Sequence, residues 1–294
     1  MRFGFYLPQG QMADPRHDVT LVAREAERIG YDSLWVFERV LFPLNPADGM
    51  YGVPGLAWAD LYRHTADPLT VLTLAAAVTE NVRLGTGVLV AGLHQPHSLA
   101  RTMATLDQLS GGRAVLGLGG GWSSDEFRAA GADFRHRGRS LAETIDACRA
   151  LWGPNPVSHR DSRMVVDNAL VTPKPLTGIP ILLGGGSTDV ALDRIARKAD
   201  GWMPSGLGPG AVADRWEQIR DRAAGHGRNP AELELYSQVR PQGSTDQVVS
   251  DLAAYAEAGT DEALIVIVDA RTAEEMVDRA AELMTAVTEA GLRD

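Results

Sequence analysis

VRLGTGVLVAG (82–92), LHQPHSLARTMATLDQLSGG (93–112) and RAVLGLGGGW (113–122) follow one another without a break, and this succession decides the fold. The first segment is aliphatic and β-branched with no charge after Arg83, as a strand buried on both faces requires. The second sets Leu99, Met103, Leu106 and Leu109 on one helical face, with Pro96 in the first turn and Gly111-Gly112 closing it. The third is a short buried strand over 114–118 that runs into three glycines and Trp122. Strand, crossover helix and strand make a parallel βαβ unit. Both strands end in glycine (Gly92; Gly119, Gly120 and Gly121), which predicts close approach of a flat or phosphorylated ligand to the backbone there.

The same alternation extends in both directions. Strands are expected at 2–7, 33–37, 179–183, 201–203, 233–239 and 263–268. Helices are expected at 18–29, 68–79, 124–130, 189–199, 212–225, 245–258 and 272–290. One more helix is expected at 140–152, where Ser140-Leu-Ala-Glu143 has capping-box spacing. Eight strand–helix units in one chain predict an α/β fold of the closed (β/α)8 barrel kind, as a single domain over 1–294. Two stretches depart from the pattern and read as insertions after strands 2 and 4: a polar, proline- and glycine-rich run at 40–66, and an excursion at 153–175 with a small hairpin. An open dinucleotide-binding sheet is the rival, but the first strand-to-helix turn reads Pro8-Gln-Gly-Gln, without G-x-G-x-x-G.

Composition narrows the function. A formal charge of -10 argues against a nucleic-acid partner. Lys174 and Lys198 are the only lysines and neither falls at a strand end, which excludes Schiff-base chemistry on a barrel. The single cysteine, Cys148, lies within a helical pattern and reads as a buried reduced thiol. Met1-Arg2-Phe3 opens a strand with no apolar leader, and no run reaches the ~18 apolar residues of a membrane span. A soluble cytoplasmic protein without a membrane partner is expected.

A barrel places its chemistry at the C-terminal ends of its strands. Gly184-Gly-Gly-Ser187-Thr188-Asp189 falls between a strand and a helix, where backbone N–H groups and the helix N-terminus favour a phosphate. The plain alternative is a tight turn with Ser187 or Asp189 as the cap. Glu38 follows a buried strand directly and either acts on a ligand or pairs with a cation such as Arg39. His94 and His97 have metal-ligand spacing without a third ligand beside them, so His94 reads as lining the pocket and His97 as a helix start.

The motifs Gly-Tyr31-Asp-Ser-Leu-Trp-Val36 with Glu38, Arg83-Leu-Gly-Thr-Gly-Val-Leu, Leu99-Ala-Arg-x-x-Ala-Thr-Leu-Asp107-x-Leu-Ser-Gly-Gly-Arg113 and Leu-Gly-x-Gly-x-Gly-Trp122 resemble the bacterial luciferase-like monooxygenase superfamily. Pro173-Lys-Pro175 and Gly184-Gly-Gly-Ser187 fit as well, and the likeness looks closest to the coenzyme F420-dependent oxidoreductases. The resemblance implies a deazaflavin ring across the barrel mouth, resting on a bulge after the third strand at Gly87, Val88 and Leu89. In deazaflavin members that bulge holds a non-proline cis peptide, and the matching bond is Gly87–Val88. The cofactor phosphate would meet Gly119, Gly120, Gly121 and Trp122 on one side and Gly184, Gly185, Gly186 and Ser187 on the other. Glu38-Arg39 stands where many members carry an acid followed by histidine. Glu38 would contact the ring edge, and Arg39 in place of histidine would bind an anionic substrate or the acidic cofactor tail.

The implied reaction is hydride transfer between coenzyme F420 and a small organic substrate, with Glu38 or His94 as proton donor. The alternatives are an FMN-dependent monooxygenase that inserts oxygen through a flavin hydroperoxide, and a flavin-binding protein without turnover. The resemblance also implies a homodimer, for which Leu69, Leu72, Leu74 and Met103 exceed what one core face needs. The aromatic residues of the first insertion, Tyr51, Trp58 and Tyr62, suit an apolar ligand, and core packing explains them equally well.

Overall fold

The computed structural model describes residues 1–10, 14–186 and 188–293. Strand and helix alternate as β1 (Arg2–Tyr6), α1 (Pro15–Ile29), β2 (Ser33–Val36), α2 (Pro68–Ala76), β3 (Arg83–Thr86), α3 (Pro96–Ser110), β4 (Ala114–Gly119) and α4 (Arg137–Trp152). The second half continues as β5 (Ile181–Gly184), α5 (Asp189–Lys198), β6 (Gly201–Met203), α6 (Pro209–Gly225), β7 (Glu234–Val239), α7 (Thr245–Glu257), β8 (Glu262–Ile265) and α8 (Ala273–Glu289). The strands are parallel in the order β3-β2-β1-β8-β7-β6-β5-β4. Pairing of Leu84 with Ala114 and of Gly85 with Val115 joins β3 to β4 and closes the (β/α)8 barrel.

Side-chain caps start the helices, α1 three residues ahead of the expected 18–29. Asp14, Asp67, Thr188, Ser244 and Thr272 each accept a backbone N–H of the first turn. Two sequence readings are corrected. Ser140 lies inside α4, which grows directly out of a 3-10 turn at Phe134–His136, so there is no capping box; Glu143 instead pairs with Arg139 and accepts from Ser162. Leu109 is 65% exposed. The buried stripe of α3 runs Leu99, Met103, Leu106 and Ser110, and position 109 falls about 80° off it.

The barrel interior is filled by side chains rather than open. At its foot Arg2 pairs with Glu234 (2.6 Å) and Glu262 (3.1 Å), and Arg83 pairs with Glu262 and donates to the Tyr236 hydroxyl (3.0 Å). Above this layer Trp35, Val115, Leu182, Tyr236 and Leu264 pack together. Gly4 and Gly85 make room for Trp35, since a Cβ on either would strike its indole. Tyr6, Met203 and Gln238 close the axis, so a ligand has space only above them.

The first insertion links β2 to α2. It is tied to the loop and short helix Ser124–Ala129 after β4: Val40 N–H donates to Glu126 (2.8 Å), Ala47 N–H to Asp125 (2.8 Å) and Ser124 N–H to Asp48 (2.7 Å). The second insertion follows the fourth strand–helix unit. Its hairpin pairs Val157–Arg160 with Val165–Ala169, and its tip returns along α4 to the rim of the mouth. Leu72 and Met103, read as surplus for a dimer face, are fully buried in the chain's own core.

Candidate active site at the barrel mouth

The floor of the mouth is built by β3 and its neighbours. After Thr86 the chain bulges through a cis Gly87–Val88 bond, and Leu89–Val90 resumes pairing with Leu118 and Gly119 of β4. The Gly87 carbonyl accepts the Tyr6 hydroxyl (2.9 Å) and Gln238 Nε2 (3.3 Å), while Gly87 N–H donates to Val36 O (2.6 Å). Thr86 Oγ1 donates to Gly117 O and accepts Gly117 N–H, which locks β3 to β4 beneath the bulge. Burial holds the Tyr6 hydroxyl proton well above the usual phenol range.

Val88 lies among the strand-end glycines. A Cβ on Gly119 would stand 2.7 Å from Val88 Cγ2, and one on Gly184 would stand 3.0 Å from Val88 Cγ1. Several glycines that read as openings for a ligand therefore admit the protein's own side chains. Gly92 and Gly121 make room for Phe127, and Gly186 (φ 101) does so for Trp202. Gly120 and Gly185 differ: an added Cβ on either meets no atom within 4 Å, so their backbone faces open space. Trp202 Nε1 holds the Gly185 carbonyl (2.8 Å) and Arg215 Nη1 the Gly186 carbonyl (2.6 Å). The cap of α5 is Thr188, not Asp189, and Ser187 lies outside the described residues.

Glu38 and Arg39 leave β2 in opposite directions. Gln9 brackets this strand end by accepting Phe37 N–H (2.5 Å) and donating to the carbonyls of Phe37 (2.9 Å) and Ala66 (3.2 Å). Glu38 is buried beside the bulge, where one carboxylate oxygen accepts Val90 N–H (2.7 Å) and the other accepts His94 Nε2 (2.8 Å). The His94 side chain is about a quarter exposed (24%), and its Nδ1 has no hydrogen-bond partner among the described residues. This arrangement fixes the ring and leaves one nitrogen for proton exchange. Arg39 does not pair with Glu38 and does not reach the open mouth. Its side chain is only 8% exposed, lies 2.9 Å from Glu126 and packs over Trp122 (4.7 Å to the ring centre), Tyr62 and Trp58. Burial raises the Glu126 carboxyl even so. Trp122 belongs to this aromatic cluster, against Trp58 (4.5 Å) and Tyr51 (5.8 Å).

Arg163, at the hairpin tip, escaped the sequence reading. It donates to His94 O (2.5 Å), Thr144 Oγ1 (2.6 Å), and Ala91 O and Ser140 O (both 3.3 Å), so it clamps the His94 loop from outside the barrel. Asp161 holds the tip by accepting from His159 and from Arg163 and Met164 N–H. Burial works against the Asp161 charge, yet these bonds bring its carboxyl below the usual range. The one signal in sequence was the turn-forming Asp161, which points to a hairpin and not to its destination. His97 is exposed at the start of α3, and no three His, Cys, Asp or Glu side chains among the described residues are grouped to hold a metal ion.

Residues 1–291 match the family described as luciferase-like monooxygenase. The chain belongs to this family. Among its luciferase-like relatives, an uncharacterized protein of Mycobacterium tuberculosis is 33% identical over 84% of this chain and 86% of its own length. The 4-hydroxyprotoasukamycin monooxygenase of Streptomyces nodosus subsp. asukaensis is 28% identical over 79% of this chain. The F420-dependent glucose-6-phosphate dehydrogenase of Amycolatopsis mediterranei is 27% identical over 71%. The aligned segment spans 60% of each of the last two. In fold, the monooxygenase RslO1 of Streptomyces bottropensis superimposes with a TM-score of 0.80 at 20% identity, over 98% of both chains. Among the described residues no helix is long and apolar enough to cross a membrane.

Proposed function

We propose that this luciferase-like protein transfers a hydride between coenzyme F420 and a small organic substrate. The observation that carries the reading is a shelf at Val88, seated among Gly119 and Gly184 and propped from below by Tyr6 and Gln238, with the Glu38–His94 pair at its edge. Such a shelf suits a flat ring, and the open backbone at Gly120 and Gly185 suits the phosphate of its side arm. The geometry supports Glu38, Gly87, Val88, Gly120 and Gly185 as cofactor-binding residues; Leu89, Gly119, Gly121, Gly184 and Gly186 are included on the family resemblance. Trp122 and Ser187 follow from the family resemblance alone.

Coenzyme F420 supplies a ring carbon that accepts or delivers two electrons as hydride and reacts little with oxygen. The protein's part is orientation and proton handling. When a hydroxyl-bearing carbon loses hydride, its oxygen must also lose a proton, and the reverse reaction must return one. In this reading His94 moves that proton, and Glu38, hydrogen-bonded to its Nε2, orients the ring. Glu38 has an oxygen committed to each of two donors and acts through His94.

Titration with F420 and with FMN, followed by fluorescence and by oxygen consumption, tests the proposal. Oxidised F420 should bind more tightly than FMN, and the complex with borohydride-reduced F420 should consume little oxygen; preference for FMN, with oxygen uptake by the dithionite-reduced FMN complex once excess dithionite is removed, would overturn it. The second reading, an FMN-dependent monooxygenase, is favoured by the similarity to 4-hydroxyprotoasukamycin monooxygenase. A cytoplasmic homodimer is part of the same proposal, and light scattering checks the dimer.

A further inference from the structure

Arg240, just beyond β7 at the mouth, donates from Nη2 to the Tyr51 hydroxyl (2.9 Å), and that hydroxyl lies 2.8 Å from the hydroxyl of Tyr62. A guanidinium carries five N–H donors and no acceptor. One of Arg240's meets Tyr51, and no carboxylate among the described residues pairs with it. The two phenols carry two protons, of which one lies in the Tyr51–Tyr62 bond and the other has no acceptor among the described residues. Donors are thus in surplus beside an uncompensated positive charge. Arg39, also near Tyr62, is already neutralised by Glu126. Arg240 directly follows the C-terminal end of β7, and Tyr62 packs against Phe37 just beyond the end of β2 (5.6 Å between ring centres), which puts this cluster on the mouth side of the barrel. Tyr51 holds its place with φ 58, a left-handed conformation that bulky residues seldom adopt and that functional sites often enforce.

We infer that Arg240, Tyr51 and Tyr62 form an anion subsite that binds a carboxylate or phosphate monoester on the substrate. The inference rests on the reading of the barrel mouth as the active site. Of the insertion's aromatic residues, Trp58 is buried against Trp122, whereas the Tyr51 hydroxyl meets Arg240 and bonds the Tyr62 hydroxyl, so the two tyrosines offer a polar edge to a ligand. An anion here could come from the substrate or from the acidic tail of the cofactor; the inference commits to the substrate.

The test measures binding of benzoate, phenyl phosphate and the neutral benzamide to the purified protein, with and without F420. Benzoate and phenyl phosphate should bind at least about tenfold more tightly than benzamide, the scale of a charge-assisted hydrogen bond. Arg240→Gln should erase that preference, Arg240→Lys should keep part of it, and Tyr62→Phe should reduce it. The F420 affinity of each variant should stay within about twofold of the unaltered protein, a change too small for a lost ionic contact. Equal binding of benzoate and benzamide, or binding of neither, overturns the inference. So does an Arg240→Gln variant that loses affinity for F420 instead of for the probes. If F420 fails to bind while the preference for anions persists, the cofactor reading falls and the anion subsite stands.

Discussion

Arg163 Nη2 donates to the main-chain carbonyl of His94 at 2.5 Å, so a hairpin that leaves the barrel at α4 governs a side chain at its mouth. Arg163→Met should lower turnover about tenfold, as a misplaced proton carrier does. F420 affinity and KM should change little, because the guanidinium touches neither ligand site. Arg163→Lys, with one charge and fewer directed donors, should recover part of the rate. Steady-state kinetics that show KM rising while kcat holds would refute the positioning role.

Glu38 invites two substitutions with different outcomes. Glu38→Gln keeps an oxygen for Val90 N–H, so the fold should persist while turnover falls about 10²–10⁴-fold, the usual worth of general acid–base catalysis. Glu38→Ala leaves the Val90 N–H buried and unpaired and should also cost about 1–3 kcal/mol in stability. Denaturant melts and single-turnover kinetics separate the two effects.

Adjacent glycines of one loop should respond in opposite ways. A Cβ at position 119 stands 2.7 Å from Val88 Cγ2, so Gly119→Ala should destabilise the protein by about 1–3 kcal/mol through overpacking. Gly120→Ala meets no neighbour and should leave the melting temperature almost unchanged. It should nevertheless weaken F420 binding about tenfold, or about 1.4 kcal/mol, if the cofactor arm lies there. Calorimetric melts and cofactor titration of both variants check the contrast.

The charged layer at the barrel foot predicts how stability depends on pH. Burial would raise the Glu234 carboxyl, but the Tyr236 hydroxyl and the Arg2 guanidinium together bring it below its ordinary value. A carboxyl with a depressed folded-state pKa contributes stability above its unfolded value near about 4, and that contribution is lost as pH falls through the folded value. Melting temperature should therefore drop across this acid range, and Glu234→Gln should flatten the drop. An unchanged acid limb in the variant would show that other carboxyls govern it.

The stretch from Arg83 to Trp122 was legible because its chemistry is local: a buried aliphatic run, a helical stripe and glycines at the turns. Its family motif proved to be largely scaffold. Arg113 donates to the carbonyls of Ala76 at the end of α2 and of Thr79 and Val82 in the turn before β3, and Asp107 accepts the N–H groups of Ala114 and Leu176. Glu38 and His94 could be read as candidates from their places at strand ends, but not as a hydrogen-bonded pair 56 residues apart. Arg163, the tyrosine partners of Arg240 and the partner of Arg39 escaped for the same reason. Their roles arise from chain reversals tens of residues long, where neither periodicity nor spacing carries a signal.

The insertion over the mouth is fastened to the loop after β4 by main-chain N–H groups of Val40, Ala47 and Ser124 meeting the carboxylates of Glu126, Asp125 and Asp48, and by Arg39, Tyr51 and Trp58 against Glu126 and Trp122. Two of the three anchoring acids belong to the barrel and take an amide from the insertion. Outside Arg39, Asp48, Tyr51 and Trp58, this covering can therefore change side chains while the scaffold beneath stays intact. Variation at those remaining positions would reshape the rim of the mouth without the barrel being rebuilt.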